Sequence, residues 1–201
     1  MGAATATLPD LPLFPLSTVL FPGGQLRLRI FEPRYLDMLR ECTGRDAPFG
    51  VCLILEGTEA GAPAVPAAVG TLAKVTDFFT DADGILGIHV VGGERFRVER
   101  VHMRDNGQVR GEAMVWEPEP HLELPPEHVL LSDILRRLIE QAAPQWHGAD
   151  SACYDDAGWV GFRLAELLPL DNAERQALLE LNDPLERLAE LRDALPRFQR
   201  E

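Results

Sequence analysis

The spacing of apolar residues changes once along this chain, between Trp116 and Val129, and this change constrains the fold more than any other feature. Up to Trp116, apolar and polar residues alternate in short runs separated by turn residues at intervals of roughly ten residues, which is typical of meandering strands. From Val129 onward, apolar residues recur every three or four positions, as in amphipathic helices. The sequence therefore predicts an α+β protein, in which a largely antiparallel sheet or small barrel precedes a small helical bundle.

An acidic segment with four prolines, EPEPHLELPPEH, lies where the spacing changes. Proline neither continues a helix nor donates to a sheet ladder, so this composition is typical of a connection between two folded parts. We therefore expect a β-rich subdomain over residues 8–117, a linker over residues 118–128 and a helical subdomain over residues 129–201.

Local signals place the first turn, strand and helix. Within QLRLRI the leucines and the isoleucine face one side and the glutamine and arginines face the other, as in a half-buried strand. The preceding FPGG predicts a tight turn in which Gly23 or Gly24 takes a positive φ angle. The following FEPRY predicts a helix with Pro33 in its first turn. Glu32 is expected to cap the helix amides, and Arg34 to pair with a carboxylate or brace a neighbouring loop.

Further signals complete the sheet. Residues 49–55 form a continuous apolar run that suits a central strand. The Gly-, Pro- and Ala-rich residues 57–70 predict a loop, while residues 81–84 and 105–107 predict hairpin turns.

The helical half carries its own start signals. Asp155 or Asp156 can cap one helix, and Asp171 with Glu174 forms a capping box for the next. Asp183 precedes the last helix. Six leucines at helical spacing predict the core of the bundle: Leu178, Leu181, Leu185, Leu188, Leu191 and Leu195.

Composition counts against several kinds of partner. The formal net charge of −13 repels phosphate, which disfavours binding to nucleic acid or to anionic membranes. No run of ~18 apolar residues free of charge occurs, so no membrane span is expected. Cys42, Cys52 and Cys153 form no CxxC motif, which favours reduced thiols in a cytosolic protein. The five histidines show neither an HExxH motif nor a close Cys/His cluster, so no metal site is expected.

Three stretches carry a resemblance to a known family. They are LPLFPLSTVLFPGGQLRLRIFEPRYLDML, the FGV at residues 49–51, and GERFRVERV at residues 93–101. Together they resemble the amino-terminal domain of Lon proteases, and in particular free-standing bacterial proteins that consist of this domain alone. The resemblance is strong over residues 11–116 and looser in the helical half, where ALLELNDPLERLAEL is similar to a Leu-rich segment of the family.

The resemblance implies a PUA-like β-rich subdomain followed by a helical subdomain. It also implies a role, because in the full-length protease this domain contributes to substrate binding and assembly, while other domains hydrolyse ATP and cut peptides. We therefore expect a non-enzymatic binding module that recognises polypeptide substrates or a partner protein and needs no cofactor.

The sequence lacks the motifs that those other domains require. Lys74 is the only lysine, and alanine precedes it, so it cannot supply the Gly-Lys of a P-loop. A Ser-Lys peptidase dyad would have to use one of only three serines, Ser17, Ser132 and Ser151, and none lies in a motif like the Lon catalytic region. No GxSxG or GxGxxG motif occurs. The sequence therefore predicts neither ATPase nor peptidase activity.

Three aromatic residues are candidates for contact with a bound polypeptide. Phe21 lies in the LFPG turn, Tyr35 at the helix start and Phe79 in DFFTDADG. The strand and turn pattern places each of them near a loop edge rather than deep in the sheet. The alternative is that all three cover the edges of the core. We expect at least one of the three to contact a partner.

Two other functions are compatible with the sequence. Related PUA-like folds often bind RNA, and the outward face of the sheet would be basic if four arginines clustered there: Arg27, Arg29, Arg95 and Arg97. A small-ligand enzyme with an unrecognised site would need titratable groups that converge in a closed pocket. The sequence sets neither the identity of the partner nor the oligomeric state.

Overall fold

The computed structural model describes residues 4–59, 61 and 64–198, and the chain divides into two compact units, Met1–Pro118 and Glu119–Glu201. Within the described ranges, the first unit holds six strands and one α-helix, and the second holds four α-helices. This arrangement confirms the α+β class. No helix in the described part of the chain is long and apolar enough to cross a membrane.

The strands of the first unit make one sheet that closes on itself. They are β1 (Ala4–Leu16), β2 (Gln25–Ile30), β3 (Phe49–Glu56), β4 (Val65–Thr80), β5 (Leu86–Met103) and β6 (Val109–Trp116), and α1 (Pro33–Gly44) follows β2. The strand order is β2-β5-β4-β3-β1-β6, and β6 also pairs with β5. Five strands therefore form a closed barrel, with β2 as an extension beside β5. Every pairing is antiparallel except that of β1 with β3, so the predicted small barrel is confirmed.

Strand β5 serves both the barrel and its extension because it runs through 18 residues. Residues 86–91 pair with β2, and residues 96–103 pair with β6. Strand β4 pairs with the other side of β5 from Leu86 to Arg97, which covers the first portion and the start of the second. The first part of β5 thus lies at the centre of a three-stranded section, β2–β5–β4, which projects beyond the closed ring.

Helix α1 packs against the sheet through the face that the sequence predicts. Its buried apolar residues are Tyr35, Met38, Leu39 and Cys42, and they share one core cluster with residues of β1, β3 and β5. A second cluster, around Leu13, Phe96 and Val98, is built from barrel residues alone.

The FPGG segment forms the predicted tight turn. Gly23 has a φ of 72°, and the Gly24 amide donates to the Phe21 carbonyl at 2.9 Å. The Gly23 amide donates to the Gly92 carbonyl at 2.8 Å, which ties the turn to the middle of β5. Position 92 must be glycine because an added Cβ would lie 2.3 Å from the Phe21 carbonyl oxygen.

The expected capping role of Glu32 is wrong, whereas the expected role of Arg34 is confirmed. Glu32 is the N-cap residue of α1 but makes no side-chain cap hydrogen bond. Its carboxylate lies 3.0 Å from the buried Arg34 guanidinium instead. Arg34 also donates to the Gly107 carbonyl in the β5–β6 turn at 3.3 Å. Glu32 therefore pairs with the buried Arg34 cation instead of capping the helix amides. A buried charge is destabilising without a counter-ion, whereas exposed helix amides can bond to water.

The predicted loop over residues 57–70 is wrong for its second half, because β4 already begins at Val65. Val65 and Pro66 pair with the end of β3, and Ala67 and Val69 are buried on the barrel side. Small and apolar residues alternate inward there, so the segment behaves as a strand despite its low β propensity.

The second unit begins each helix where the sequence predicts. The helices are α2 (Val129–Ala142), α3 (Ala157–Leu167), α4 (Asn172–Glu180) and α5 (Pro184–Ala194), with short 3₁₀ turns at Pro126–His128, Pro144–Trp146, Ser151–Asp155 and Leu195–Phe198. Asp156 caps α3, and Asp171 with Glu174 forms the capping box of α4. Asp183 caps α5. Of the predicted leucine stripe, Leu178, Leu188, Leu191 and Leu195 are buried, and Leu181 and Leu185 are half-buried.

The predicted linker over residues 118–128 is, from Glu119 onward, part of the helical unit. Glu119 pairs at 2.5 Å with Arg187, whose side chain is completely buried. The backbone of Leu122 and Leu124 bonds to Ala157 and Asp155, each at 2.8 Å. A buried guanidinium without a counter-ion would cost several kcal/mol, so Arg187 explains why this proline-rich segment is anchored.

Candidate functional site

One face of the β2–β5–β4 section is apolar, and it is buried at its centre and partly exposed at its edges. Strand register aligns three rows across it: Leu26, Val90 and Val75; Leu28, Ile88 and Phe78; Ile30, Leu86 and Thr80. The central residues Ile88 and Val90 are buried in the cluster that includes α1. The side chains of the flanking positions reach solvent, and Phe78 is 50% exposed.

We call this surface the open apolar face, and we define it by five residues: Leu26, Leu28, Val75, Phe78 and Leu86. All except Phe78 are half-buried. Phe31, directly after β2, is 59% exposed. Contiguous exposed apolar residues on one element of a folded protein mark interaction surfaces more often than scattered ones do.

The opposite face of the same section is polar and internally paired. Arg27 lies 2.6 Å from Asp81, and Arg29 lies 3.0 Å from Asp81 and also contacts Asp83. These pairs fasten the β4–β5 turn to β2. The Phe79 ring lies on this face over Gly87, with the Arg27 guanidinium 4.0 Å from its centroid.

The fold does not bring Phe21, Tyr35 and Phe79, the three predicted contact residues, together on one surface. The expectation that they lie at accessible edges is wrong for Phe21 and Tyr35, which are 1% and 6% exposed. Tyr35 stacks on Phe14 with centroids 4.1 Å apart, and burial raises the pKa of its hydroxyl. Phe79 is half-buried on the polar face. Contact of any of the three with a partner stays a prediction.

Sequence reasoning missed Phe78, the most exposed residue of the open apolar face. A register shift between Val75 and Asp77 in β4 changes which residues face inward. Simple alternation from the start of the strand therefore cannot tell Phe78 from Phe79. The Asp81–Gly84 turn is the local signal that could have distinguished Phe78 from Phe79. Alternation of inward and outward residues counted back from this turn reaches Phe78 before it meets the register shift.

A second constellation joins β1, α1 and β6 through charge. Arg110, whose side chain is 3% exposed, donates to Asp10 at 2.6 Å and to Glu41 at 3.0 Å. Arg104 pairs with the same two carboxylates at 3.2 and 3.0 Å. Burial alone would raise the pKa of Asp10 and of Glu41, but hydrogen bonds and charge from the arginines outweigh it and hold both pKa values below their usual range.

This constellation borders a cavity of about 220 Å³ that also includes Cys42. Carboxylates with lowered pKa values are ionised at neutral pH and cannot act as general acids. Burial raises the pKa of the Cys42 thiol to about 11, which leaves it protonated and weakly nucleophilic. The cluster therefore has the properties of a structural ion-pair network rather than of a catalytic centre.

The four arginines considered for RNA binding do not form one basic face. Arg95 is 5% exposed, with its guanidinium 4.9 Å from the Trp116 ring centroid. Arg97 lies 3.7 Å from Glu99. On the strand register, positions 95–97 are at least six residues from position 89, which pairs with Arg27, and this corresponds to roughly 20 Å. The expected clustering is wrong because Arg95 is buried against Trp116, and because Arg27 and Arg29 are paired with Asp81 and Asp83.

The helical unit has a separate groove between α4 and α5, with a volume of about 510 Å³. Leu178, Leu181 and Leu191 contribute its apolar lining, and Glu190 and Arg197 lie on its rim. Arg197 is paired with Glu174 at 2.6 Å. This groove is a second concave surface with an apolar lining. In the described part of the chain, no group of three or more His, Cys, Asp or Glu residues could hold a metal ion.

The chain matches the family model described as the ATP-dependent protease La (LON) substrate-binding domain over residues 10–197. A solved structure of a Lon N-terminal domain protein from Xanthomonas campestris is 45% identical, with a TM-score of 0.78, and the match covers 92% of this chain and 98% of that one. The N-terminal domain of Mycobacterium avium complex Lon protease is 19% identical, with a TM-score of 0.64 over 92% and 96% of the two chains, which is a likeness of fold.

Two curated proteins are similar in sequence to this chain over shorter stretches. Lon protease 1 of Bdellovibrio bacteriovorus is 32% identical over 133 residues, which are 64% of this chain and 16% of that protein. Protein cereblon of Danio rerio is 29% identical over 102 residues, which are 49% of this chain and 23% of that protein. The chain spans less than a quarter of the length of either relative.

A six-stranded sheet followed by helices is the architecture of Lon amino-terminal domain structures, and this defines the class of protein. The chain belongs to the family of the ATP-dependent protease La (LON) substrate-binding domain. The match is to that domain and not to the catalytic part of Lon.

Proposed function

We propose that this protein is a non-enzymatic binding module that recognises segments of polypeptide, from substrates or from a partner protein, through its open apolar face. The exposure of Phe78 carries the proposal, because a half-exposed phenylalanine beside half-buried leucines offers apolar area that only a partner can cover. Membership of the substrate-binding family supports the same function. Cleavage of polypeptides and hydrolysis of ATP would take place outside the domain described here.

Charge supports a polypeptide rather than a nucleic acid as the partner. The net charge is −13, and the arginines nearest the open apolar face are bound to Asp81 and Asp83. Phosphate binding requires cations that are free to replace counter-ions. An apolar face beside neutralised arginines suits unfolded or extended protein chain instead.

The contacts of the only lysine support the absence of peptidase chemistry. The Lys74 ammonium is 2.9 Å from Asp46, and the Ser132 hydroxyl donates to the Tyr154 carbonyl at 2.8 Å. A Ser-Lys dyad needs a serine oxygen beside a desolvated amine. The Lys74 side chain is 59% exposed, so its amine is solvated.

Among the predicted contact residues, we keep Phe79 as a contact and assign support of the face to Phe21 and Tyr35. Phe79 reaches the surface through the polar side of the same section. Phe21 fixes the turn that starts β2, and Tyr35 packs behind Ile88 in the core cluster.

We place the protein in the cytoplasm, since its cysteine content favours a reducing compartment.

The test is binding to a permanently unfolded model protein, such as reduced and carboxymethylated lactalbumin, measured by fluorescence anisotropy. We expect Phe78→Ser to weaken the affinity at least fivefold, because it removes the most exposed side chain of the open apolar face. Met103→Ser is the matched control, since Met103 is 58% exposed in the same unit but outside the β2–β5–β4 section. Ala177→Gln probes the helical groove.

The variants discriminate between locations. Unchanged affinity in Phe78→Ser together with a loss in Ala177→Gln would move binding to the helical groove. Equal losses in Phe78→Ser and Met103→Ser would show that any exposed apolar residue contributes, and the open apolar face would no longer be a site. Thermal unfolding of each variant shows whether a loss of affinity reflects a loss of folded protein.

A further inference from the structure

Strand β2 is the end strand of the sheet. In the part of the chain that the structure describes, it pairs with β5 on one side and with no strand on the other. Each of the other described strands pairs with at least two strands, although residues 74–80 of β4 pair with β5 alone. The open edge is six residues long, from Gln25 to Ile30.

The register determines which backbone groups face that open edge. The Gly92 amide donates to the Gly24 carbonyl at 2.8 Å, so the pair 24–92 is hydrogen-bonded. In an antiparallel ladder such pairs alternate. The backbone of Leu26, Leu28 and Ile30 therefore bonds to β5, and the N–H and C=O groups of Gln25, Arg27 and Arg29 point outward.

The side chains leave this edge accessible. Natural edge strands are usually blocked by charged residues, and β2 carries two arginines. Both arginines are bound to Asp81 and Asp83 across the polar face of the sheet, so their guanidinium groups lie over β5 rather than beyond β2. On the other face, Leu26 and Leu28 are half-buried and border the same edge.

We propose that an extended polypeptide segment adds to β2 as a further strand. Its backbone pairs with the outward groups of Gln25, Arg27 and Arg29, and its apolar side chains, at every second position, extend the row begun by Leu26 and Leu28. The inference rests on the proposed function and supplies its binding mode. A helical segment has no free backbone groups to satisfy this edge, so the partner must be unfolded or locally extended.

In this binding mode, backbone hydrogen bonds and apolar side-chain contacts determine different properties of the complex. Backbone pairing is independent of sequence, and it gives affinity for many chains. The apolar row selects segments in which apolar residues alternate with polar ones. The neutralised arginines leave the polar side tolerant of either charge.

The first test uses a peptide in place of a protein. The probe is a fluorescent seven-residue peptide of alternating valine and serine or threonine, with two further versions N-methylated on either the odd or the even amides. In an added strand, alternate amides face β2 and the others face solvent. We expect one methylated version to bind at least tenfold more weakly than the other, and the tighter one to match the unmodified peptide within about threefold.

Three outcomes of this test would overturn strand addition. They are equal affinity of the two methylated versions, equal weakening of both, and no binding of the unmodified peptide. If the unfolded model protein still binds and Phe78→Ser still weakens that binding, the proposed function stands without this mode. If neither peptide nor unfolded protein binds, both proposals are wrong.

A second test acts on the protein. Arg27→Pro removes the outward N–H without removing a hydrogen bond to β5, whereas Arg27→Thr removes the side chain and keeps the N–H. We expect affinity for the unfolded model protein to be at least tenfold lower in Arg27→Pro than in Arg27→Thr. Equal affinities in two folded variants would overturn strand addition. If Arg27→Pro does not fold, the N-methyl series decides the question alone.

Discussion

Arg110 of β6 holds Asp10 of β1 and Glu41 of α1 through one buried guanidinium. We expect Arg110→Met, which keeps much of the side-chain length, to lower the free energy of unfolding at neutral pH by about 1–3 kcal/mol, because two partly buried carboxylates lose their main donor. Urea unfolding followed by circular dichroism measures the change. Arg100→Met is the control, since Arg100 is 84% exposed and 3.6 Å from Glu112. Equal losses in both variants would contradict a special role for Arg110.

The same ion pairs give stability a defined pH dependence. The pKa values of Asp10 and Glu41 are lowered in the folded protein, so unfolding takes up protons as the pH falls. Their contribution is fully present above the ordinary carboxyl pKa values and is lost as the pH falls through the lowered ones. Between about pH 6 and about pH 3, the wild type should lose more stability than Arg110→Met. Parallel stability curves for the two proteins would show that the pairs contribute nothing.

Single residues also show where prediction from the sequence ends. Phe21 and Tyr35 were expected at accessible edges, but the turn at Gly23 and the packing of α1 bury both. Burial of one side chain depends on which distant elements cover it, and local spacing contains no information on that. The pairing of Arg34 with a carboxylate was predicted correctly, because its partner Glu32 is only two residues away in the sequence and does not depend on the packing of distant elements.

At the scale of elements, the FPGG turn sets the position of β2 beside β5. Gly23 adopts a φ of 72°, which side chains with a branched Cβ rarely tolerate. We expect Gly23→Val to destabilise the protein by about 1–3 kcal/mol in thermal or urea unfolding. Gly44→Val is the matched control, because nothing lies within 4 Å of a Cβ added there and its φ is not positive. Similar stability of Gly23→Val and the wild type would mean that the turn adapts without strain.

Sequence signals located nearly every element but not all of their boundaries or neighbours. Strand β2, helix α1 and the capped helices α3, α4 and α5 follow from turn residues, caps and periodicity that lie within each element. The start of β4 at Val65 was missed because alanine and proline predict a loop, and pairing with β3 overrides that preference. The open edge of β2 could not be predicted, since it depends on β6 closing the ring onto β5 rather than onto β2.

For the whole molecule, the proposed function predicts binding without catalysis. We expect the purified protein to hydrolyse no ATP and to degrade no casein, because the only lysine pairs with Asp46 and neither a P-loop nor a Ser-Lys constellation occurs in the sequence. Phosphate release and casein cleavage assays measure the two activities. Turnover that persists through repurification and disappears in Lys74→Ala would contradict a purely binding role.

The length of β5 has a consequence for how such a protein can change over evolutionary time. The residues that close the ring, 96–103, and those that carry β2, 86–91, are different stretches of the same strand. Closure of the ring therefore needs no backbone hydrogen bond from β2, and the main side-chain link between β2 and the ring is Ile30, which is buried with residues of β1 and β3. Lineages can diversify the exposed and half-buried positions of the outer strand while the ring is inherited unchanged, and an engineer could exchange residues 25–29 to redirect the preference for a peptide while keeping the buried Ile30.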